Sequence, residues 1–404
     1  MVRKTTIIGI LILSTLLLTG CWDRIEINEL ALITGFAIDK AEEGYEVSIL
    51  VINSSVTSGQ STNTGYRPPG AIFKATGINV SDAFRALALK MSRVGNRVHV
   101  QNIIIGEEVA REGIINILDP LIRDRQLRPS VNMYIANGSK AREIYNVTPV
   151  QESVSAEKIA KMILNIERQT SLIHKVNLMT LINTIVSQDT EAYLPGIEIH
   201  GKKGEQTDKP ENSNQIEPDA MLSFTPYAIF KGDKMIGWLD EKTSKGVNMI
   251  LGEVTDTMVS LKCDEGKYNV YDITYFSTKV KGEIKDNQPL INIKIKTRGI
   301  FSQVDCANDL TKPEVIDQLE KDFEKLLKEQ INQTVKTLQT DYKSDVLGFS
   351  GVIHREDPKF WKKISKEWTD QYFVNLKVET KVDVIIENTG IIINPIEEGF
   401  NKAR

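Results

Sequence analysis

What most restricts this chain is its beginning: Arg3 and Lys4, an apolar run from Ile7 to Leu18, then Thr19, Gly20 and Cys21. The two cations hold the start of the chain on the cytoplasmic side of a membrane while the run partitions into the bilayer. A twelve-residue helix spans roughly 18 Å, well short of the ~30 Å hydrocarbon core, so the segment reads as an export signal and not as a stable spanning helix. Leu18, Thr19 and Gly20 occupy the three positions before Cys21 in the manner of a bacterial lipobox. That arrangement predicts cleavage after Gly20 and a diacylglyceryl thioether on Cys21 as the new N-terminus. Two acyl chains at ~0.8 kcal/mol per buried methylene give lasting attachment, where one gives marginal binding. The competing reading is an ordinary secretory signal with a chance cysteine. After Cys21 no apolar stretch approaches eighteen residues, so the rest must fold as a water-facing body held to a membrane by its first residue.

About 380 residues follow the signal, enough for two or three domains of ~100–200 residues. A formal charge of −4 on 404 residues creates no strong field. The basic cluster Arg123, Arg125 and Arg128 is short and interleaved, so it reads as a solvated face and no nucleic-acid partner is expected. With Cys21 consumed by lipid, Cys263 and Cys306 remain. They can form one bridge outside the membrane, but so few cysteines favour two ordinary buried thiols.

Leu30 to Asp39 and Tyr45 to Asn53 are β-rich runs joined by the polar turn Lys40 to Gly44, a hairpin pattern. Ser54 to Gly70 reads as a long exposed loop, Ile72 to Ala75 as a strand. Phe84, Leu87, Ala88 and Met91 follow helical spacing, with Asn79 or Ser81 as cap and Gly95 as stop. Strands are expected over Val98 to Ile105 and Val131 to Ala136, with a helix over Glu107 to Leu118 between them and a helical turn at Ala141 to Tyr145. Ser155 opens a helix with Ile159, Met162, Ile163 and Ile166 on one face, and Leu178 to Val186 is another. This alternation implies a layered α/β or α+β arrangement.

Gly201 to Asp219 is almost free of apolar residues and reads as a linker or a long excursion between strands. Beyond it, Leu222 to Phe230 and Met235 to Leu239 flank the turn Lys231 to Lys234, and a short helix is expected near Lys242 to Leu251. Val254 to Lys262, Tyr268 to Val280 and Leu290 to Lys296 read as strands, the last alternating Ile291, Ile293, Ile295 against Asn292, Lys294, Lys296. Thr311 to Glu314 has the form of a capping box with Pro313 in the first turn, opening a helix to about Tyr342. Its stripe of Ile316, Leu319, Phe323, Leu326 and Leu327 predicts core packing, and Asp317–Lys321 and Glu324–Lys328 have i, i+4 spacing on its outer face. Asp357-Pro358 caps a further helix whose Trp361, Ile364 and Trp368 lie on one side as core. Val374 to Ile386 alternates cleanly as a strand, and Gly390 turns the chain into Ile391 to Asn394.

These motifs carry a resemblance. The lipobox running into Cys21-Trp22-Asp23-Arg24-Ile25-Glu26-Ile27 resembles the start of the Ger(x)C family of spore germination lipoproteins, the C-subunits of bacterial spore germinant receptors. So do Asp345-Val346-Leu347-Gly348-Phe349, His354-Arg355, Pro358-Lys359-Phe360-Trp361, Trp368, the valine-rich strand and Asn388-Thr389-Gly390-Ile391. The resemblance spans essentially the whole mature chain. It implies a multidomain α+β protein, with mixed β-sheets flanked by helices in three domains. We place an N-terminal domain at 22–200, a linker or long loop at 201–219, a small middle domain at 220–285 and a C-terminal domain with the long helix at 286–404, after the signal at 1–20. It also implies integral membrane subunits as partners, one of them transporter-like, membrane lipid through Cys21, and a nutrient met only indirectly.

Chemistry is not apparent in the sequence. His99, His174, His200 and His354 lack the spacing of a metal site, and no phosphate-cradling glycine motif occurs. Gly348 to Val352 resembles a nucleophile elbow but has Val352 where the second glycine belongs, so Ser350 reads as a turn residue. His354-Arg355 beside Glu356-Asp357 reads as a polar loop capping the next helix, and acids such as Glu241 and Glu253 as surface charges. No cofactor, metal or catalytic residue is expected, which leaves an anchored assembly subunit. An extracytoplasmic solute-binding lipoprotein is the alternative, requiring an apolar cleft with convergent polar groups. A cell-wall hydrolase fits least, for want of acids held in contrasting environments.

Overall fold

The computed structural model describes residues 26–53, 68–187, 189–201, 216–264, 266–306 and 309–388. The expected signal with Leu18, Thr19 and Gly20, the expected lipidation residue Cys21, the signature residues 22–25 and 389–391, the stretch 391–394 after Gly390, residues 54–67 of the expected loop and the stretch 202–215 lie outside the described residues.

β1 (Leu30–Lys40) and β2 (Tyr45–Ile52) form the expected hairpin, turning at Gly44 with φ 75°. β1 is buried almost without alternation because helices cover the sheet on both faces. β3 (Gly70–Gly77) pairs with β2, and α1 (Val80–Ala88) follows with the Asn79 side chain accepting the Asp82 N–H. The helix ends at Ala88 and does not reach Gly95, which lies in the short β4 (Val94–Asn96), parallel to the start of β1. β5 (Asn102–Gly106) begins four residues later than expected, after a turn in which Val100 N–H reaches Arg97 O at 3.2 Å. The helix expected over Glu107 to Leu118 is two, α2 (Glu107–Glu112) and α3 (Ile115–Arg123): Gly113 at φ 131° leaves the helical region between them. β6 (Asn132–Ala136), α4 (Ala141–Asn146), α5 (Ser155–Gln169) and α6 (Leu178–Ser187) lead to β7 (Tyr193–Gly201).

β7 pairs antiparallel with β8 (Ala220–Lys231), Gly201 opposite Ala220, and β8 returns as β9 (Lys234–Trp238) around Gly232. Residues 201–219 therefore join two neighbours of one sheet. The sheet has the order β3-β2-β1-β5-β6-β7-β8-β9, with β4 attached to β1, and its β1-β5-β6-β7 centre is parallel.

α7 (Glu241–Leu251), capped by Asp240 and closed by left-handed Gly252, leads to a second sheet of β10 (Thr257–Asp264), β11 (Lys267–Lys285), β12 (Gln288–Val304) and β13 (Lys377–Asn388) in that order. The expected middle unit 220–285 is thus divided, β8 and β9 joining the first sheet and β10 and β11 the second. Its boundary at 285/286 falls on the two-residue turn Asp286-Asn287, φ 51° and 59°, which closes the β11–β12 hairpin. Between β12 and β13 come α8 (Pro313–Thr337), continued by a wider turn to Tyr342, then α9 (Phe349–Glu356) and α10 (Pro358–Ile364). Residues 373–375 form a tight turn, so the last strand starts at Lys377 and not at Val374.

Ile291, Ile293 and Ile295 of β12 are buried while Lys294 and Lys296 are exposed, and α8 sets Leu319, Phe323 and Leu327 into the same core. The capping box expected at Thr311 does not form. Its hydroxyl lies 2.5 Å from Asp309 Oδ1, and Lys312 is the N-cap without a side-chain bond; an acid two residues upstream outcompetes the helix for that hydroxyl. Glu324 is likewise not spent on Lys328: its carboxylate accepts Val384 N–H at 3.3 Å, and Glu320 accepts Ile386 N–H at 2.8 Å. Two acids of α8 thereby occupy two donors on the outer edge of β13, where edge-to-edge pairing would need them. A second correction concerns the cysteines. Cys263 and Cys306 form a disulfide across the ends of β10 and β12, Cα–Cα 6.2 Å, and Cys263 is exposed instead of buried.

One core, including Phe36, Ile49, Leu87 and Ile103, lies under α1, α2, α3 and α6. The opposite face of the first sheet, with Ile104, Tyr134 and Ile159, continues without interruption into Tyr271, Ile293, Phe323 and Trp368 of the second. The fold is α+β, two mixed sheets sharing one apolar interior.

Candidate functional site

Part of the C-terminal signature, Asp345, Phe349, His354, Trp361 and Trp368, gathers into one knot around the Asp345 carboxylate, and Asp345 is 2% exposed. Its carboxylate accepts Phe349 N–H at 3.0 Å, Ser350 N–H at 2.7 Å and Trp368 Nε1–H at 2.9 Å. The first two are otherwise orphaned donors of the first turn of α9, whose N-cap Gly348 takes φ 68° so that the chain can enter the helix directly behind the acid. Burial pushes the Asp345 carboxyl up from its ordinary value, against the pull of these donors. Trp368 packs edge-on to Trp361 at 5.2 Å between ring centroids, and Trp361 stacks on His354 at 5.7 Å. The expected tryptophan stripe is therefore core, and its indole N–H is part of the knot.

The same knot grips the first sheet. Asp345 O accepts Glu191 N–H at 3.0 Å and Thr190 Oγ1–H at 3.1 Å, and Gly351 N–H reaches Asp189 O at 3.1 Å. Ser350 Oγ donates to Asp189 O, and His354 Nδ1 lies 3.2 Å from Asp189 Oδ1. Glu191, whose carboxylate accepts Gly232 N–H at 2.7 Å, is also pushed up, first by burial and further by Asp345. Ser350, His354 and Asp189 are thus brought together, but not as a hydrolytic triad. The serine is 2% exposed, and its proton is committed to a main-chain carbonyl instead of to a base. Asp189 carried no signal of its own in the sequence, since its partners lie 161 and 165 residues away.

The other candidates are scattered. His174 Nδ1 lies 3.0 Å from Glu167 and 3.5 Å from Glu253; Glu167 is drawn down to about 2 by its bonds to His174 and the Lys175 N–H despite burial, and bonding to Glu167 raises His174. His200 sits 3.5 Å from Glu198, and Glu241 pairs with Lys245 at 2.9 Å. Among the described residues no three His, Cys, Asp or Glu side chains form a metal-holding group. Arg123 pairs with Asp119 at 2.9 Å, and Arg125 and Arg128 are exposed.

A cleft of about 550 Å³ opens where α4 meets the β2–β3 margin, lined by Leu50, Ile72, Lys74, Arg142, Glu143 and Ser153 among others. Its floor is fixed by Tyr145, whose hydroxyl lies 2.7 Å from Asn102 Oδ1 and 3.1 Å from Phe36 O. Gly35 makes room for it: a Cβ there would stand 2.6 Å from the tyrosine ring. Asp39 accepts the Ala141 and Arg142 N–H groups at 2.7 and 3.0 Å, capping α4 at the cleft's edge.

Residues 23–199 match the family described as spore germination protein N-terminal domain, and residues 225–390 the family described as spore germination B3/GerAC like, C-terminal. Spore germination protein KC of Bacillus subtilis (strain 168) is 29% identical over 99% of this chain and 99% of its own length. Spore germination protein B3 of the same organism is 24% identical, over 93% of this chain and 96% of its own, and spore germination protein A3 is 25% identical, over 93% and 95%. The crystal structure of the GerBC protein superposes with a TM-score of 0.53 at 19% identity, covering 88% of this chain and 97% of that one, a likeness of fold.

Proposed function

Because the chain belongs to the Ger(x)C, or GerAC-like, family of spore germination proteins, we propose that it is the lipid-anchored subunit of a nutrient germinant receptor. In this reading Cys21 carries the lipid that holds the body at the outer face of the spore inner membrane. It works there by assembly with integral membrane subunits, without chemistry of its own. The observation that carries the reading is the tiling of nearly the whole described chain by the two family regions, with Asp345, Phe349 and Trp368 of the C-terminal signature joined in a buried knot. Crosslinking in intact spore membranes tests it: integral membrane proteins should be captured, and recovery of the chain free of any membrane partner would overturn it. Labelled fatty acid should enter the chain and should not enter Cys21→Ala, which loses its membrane fraction yet folds normally.

The cleft beside Tyr145 favours a second reading, an extracytoplasmic solute-binding lipoprotein. Calorimetry against germinant amino acids separates the two, because micromolar heats of binding belong to the second alone.

A further inference from the structure

Cys21 lies only five residues before Glu26, at most about 18 Å of extended chain, so whatever surrounds Glu26 to Leu30 must lie close to the anchoring bilayer. There β1 begins, with Leu30 paired to Val94 of β4. The segment leading into β4 is unusual for a water-facing surface: Leu89 is 90% exposed and Val94 53%. Interleaved with them are the exposed cations Lys90 and Arg93. Lys90 Nζ rests 2.7 Å from Lys74 O, and no ion pair engages Arg93 among the described residues. Immediately beyond, Arg97 is bound to Asp124 at 2.7 Å, and its N–H meets Gln126 Oε1 at 3.2 Å. This brings the loop carrying exposed Arg125 and Arg128 to the same end of the fold. The basic cluster expected as an ordinary solvated face thus lies at the end of the fold where β1 begins; the acids there are Asp119, paired with Arg123, Asp124, paired with Arg97, and Glu26 and Glu29.

Resting on the anchored reading above, we propose that the 89–94 segment, flanked by Arg125 and Arg128, is a bilayer-contact surface that inserts Leu89 and Val94 between anionic headgroups and fixes the orientation of the body. An apolar tip ringed by cations is the composition that binds a negatively charged lipid surface, by shallow burial of the apolar side chains and attraction of the basic ones. The tether supplies proximity, and the patch supplies direction.

The test uses the full chain isolated from membranes, carrying Leu89→Cys labelled with an environment-sensitive fluorophore, in vesicles of phosphatidylglycerol and brominated phosphatidylcholine. Ile78→Cys, at 80% exposure against 90% for Leu89 and beyond the opposite end of α1, is the reference. Quenching at 89 should exceed that at 78 by about threefold or more, and should fall by about half when phosphatidylglycerol is replaced by neutral lipid or when Lys90→Glu and Arg93→Glu are added. Acylation is read in the same sample from the mass of the N-terminal peptide. An acylated chain quenched equally at 89 and 78 overturns the surface and leaves the anchor standing; an unacylated chain overturns both.

Discussion

Replacing Asp345 by alanine should be among the most damaging single changes to this fold. The substitution strands three donors at once: two N–H groups at the start of α9 and the Trp368 indole. Losing a helix cap costs about 1–2 kcal/mol, and each buried donor left without an acceptor about 1–3 kcal/mol. Allowing for water entering the vacated space, the total is about 3–5 kcal/mol, a large part of the ~5–15 kcal/mol that holds a typical domain together. Urea unfolding followed by tryptophan fluorescence reads it directly, because Trp361 and Trp368 lie at the knot. Trp368→Phe removes one donor together with its bond and should cost about 1–2 kcal/mol alone, but less in the Asp345→Ala background, where the indole is already orphaned. If Asp345→Ala shifts stability by under about 1 kcal/mol, or if the two changes are additive, the carboxylate is not the keystone described here.

The disulfide closes a span of 43 residues, so Cys263→Ser with Cys306→Ser should lower stability by about 2–4 kcal/mol, and both thiols should resist alkylation in the native chain until a reductant is added. The His174 imidazole gains carboxylate partners on folding, so its stabilisation is complete below its ordinary value of 6.5 and fades as pH rises through the higher folded value. The stability gap between wild type and His174→Gln should accordingly be wider at pH 6 than at pH 9; an equal gap would remove the pair from the account. Gly246 is the point where α7 meets α8, since a Cβ there would collide with the Thr334 hydroxyl. Gly246→Ala should cost about 1–3 kcal/mol in the same urea assay, and Thr334→Ser, which keeps the hydroxyl, should not relieve it.

Features set by local periodicity are legible in the sequence alone. The β1–β2 hairpin, the isoleucine alternation of β12, the stripe of α8 and the burial of Trp361 and Trp368 all depend on neighbours within a few residues. The Asp345 motif is visible as a cluster, but its meaning is not, because the groups that give it one sit at Trp368 and at Asp189 to Glu191. The pairing of β7 with β8, Gly201 opposite Ala220, is not legible for a related reason: the polar composition of the stretch between them is silent on whether the flanking strands pair. Thr311 and Glu324 show the same limit at the scale of single side chains. Each has a plausible partner along its own helix, and each is held by a different one.

The unbroken interior beneath the two sheets has a practical outcome for anyone exchanging parts among relatives. A graft taken at the polar stretch would cut a paired sheet, and one taken at the 285/286 turn would open the long hairpin. Either would also part the knot from the strand it grips, unless both came from the same parent. Sequence drift on one side of that joint must then be answered on the other, so the two halves are expected to travel through evolution as a single inherited piece.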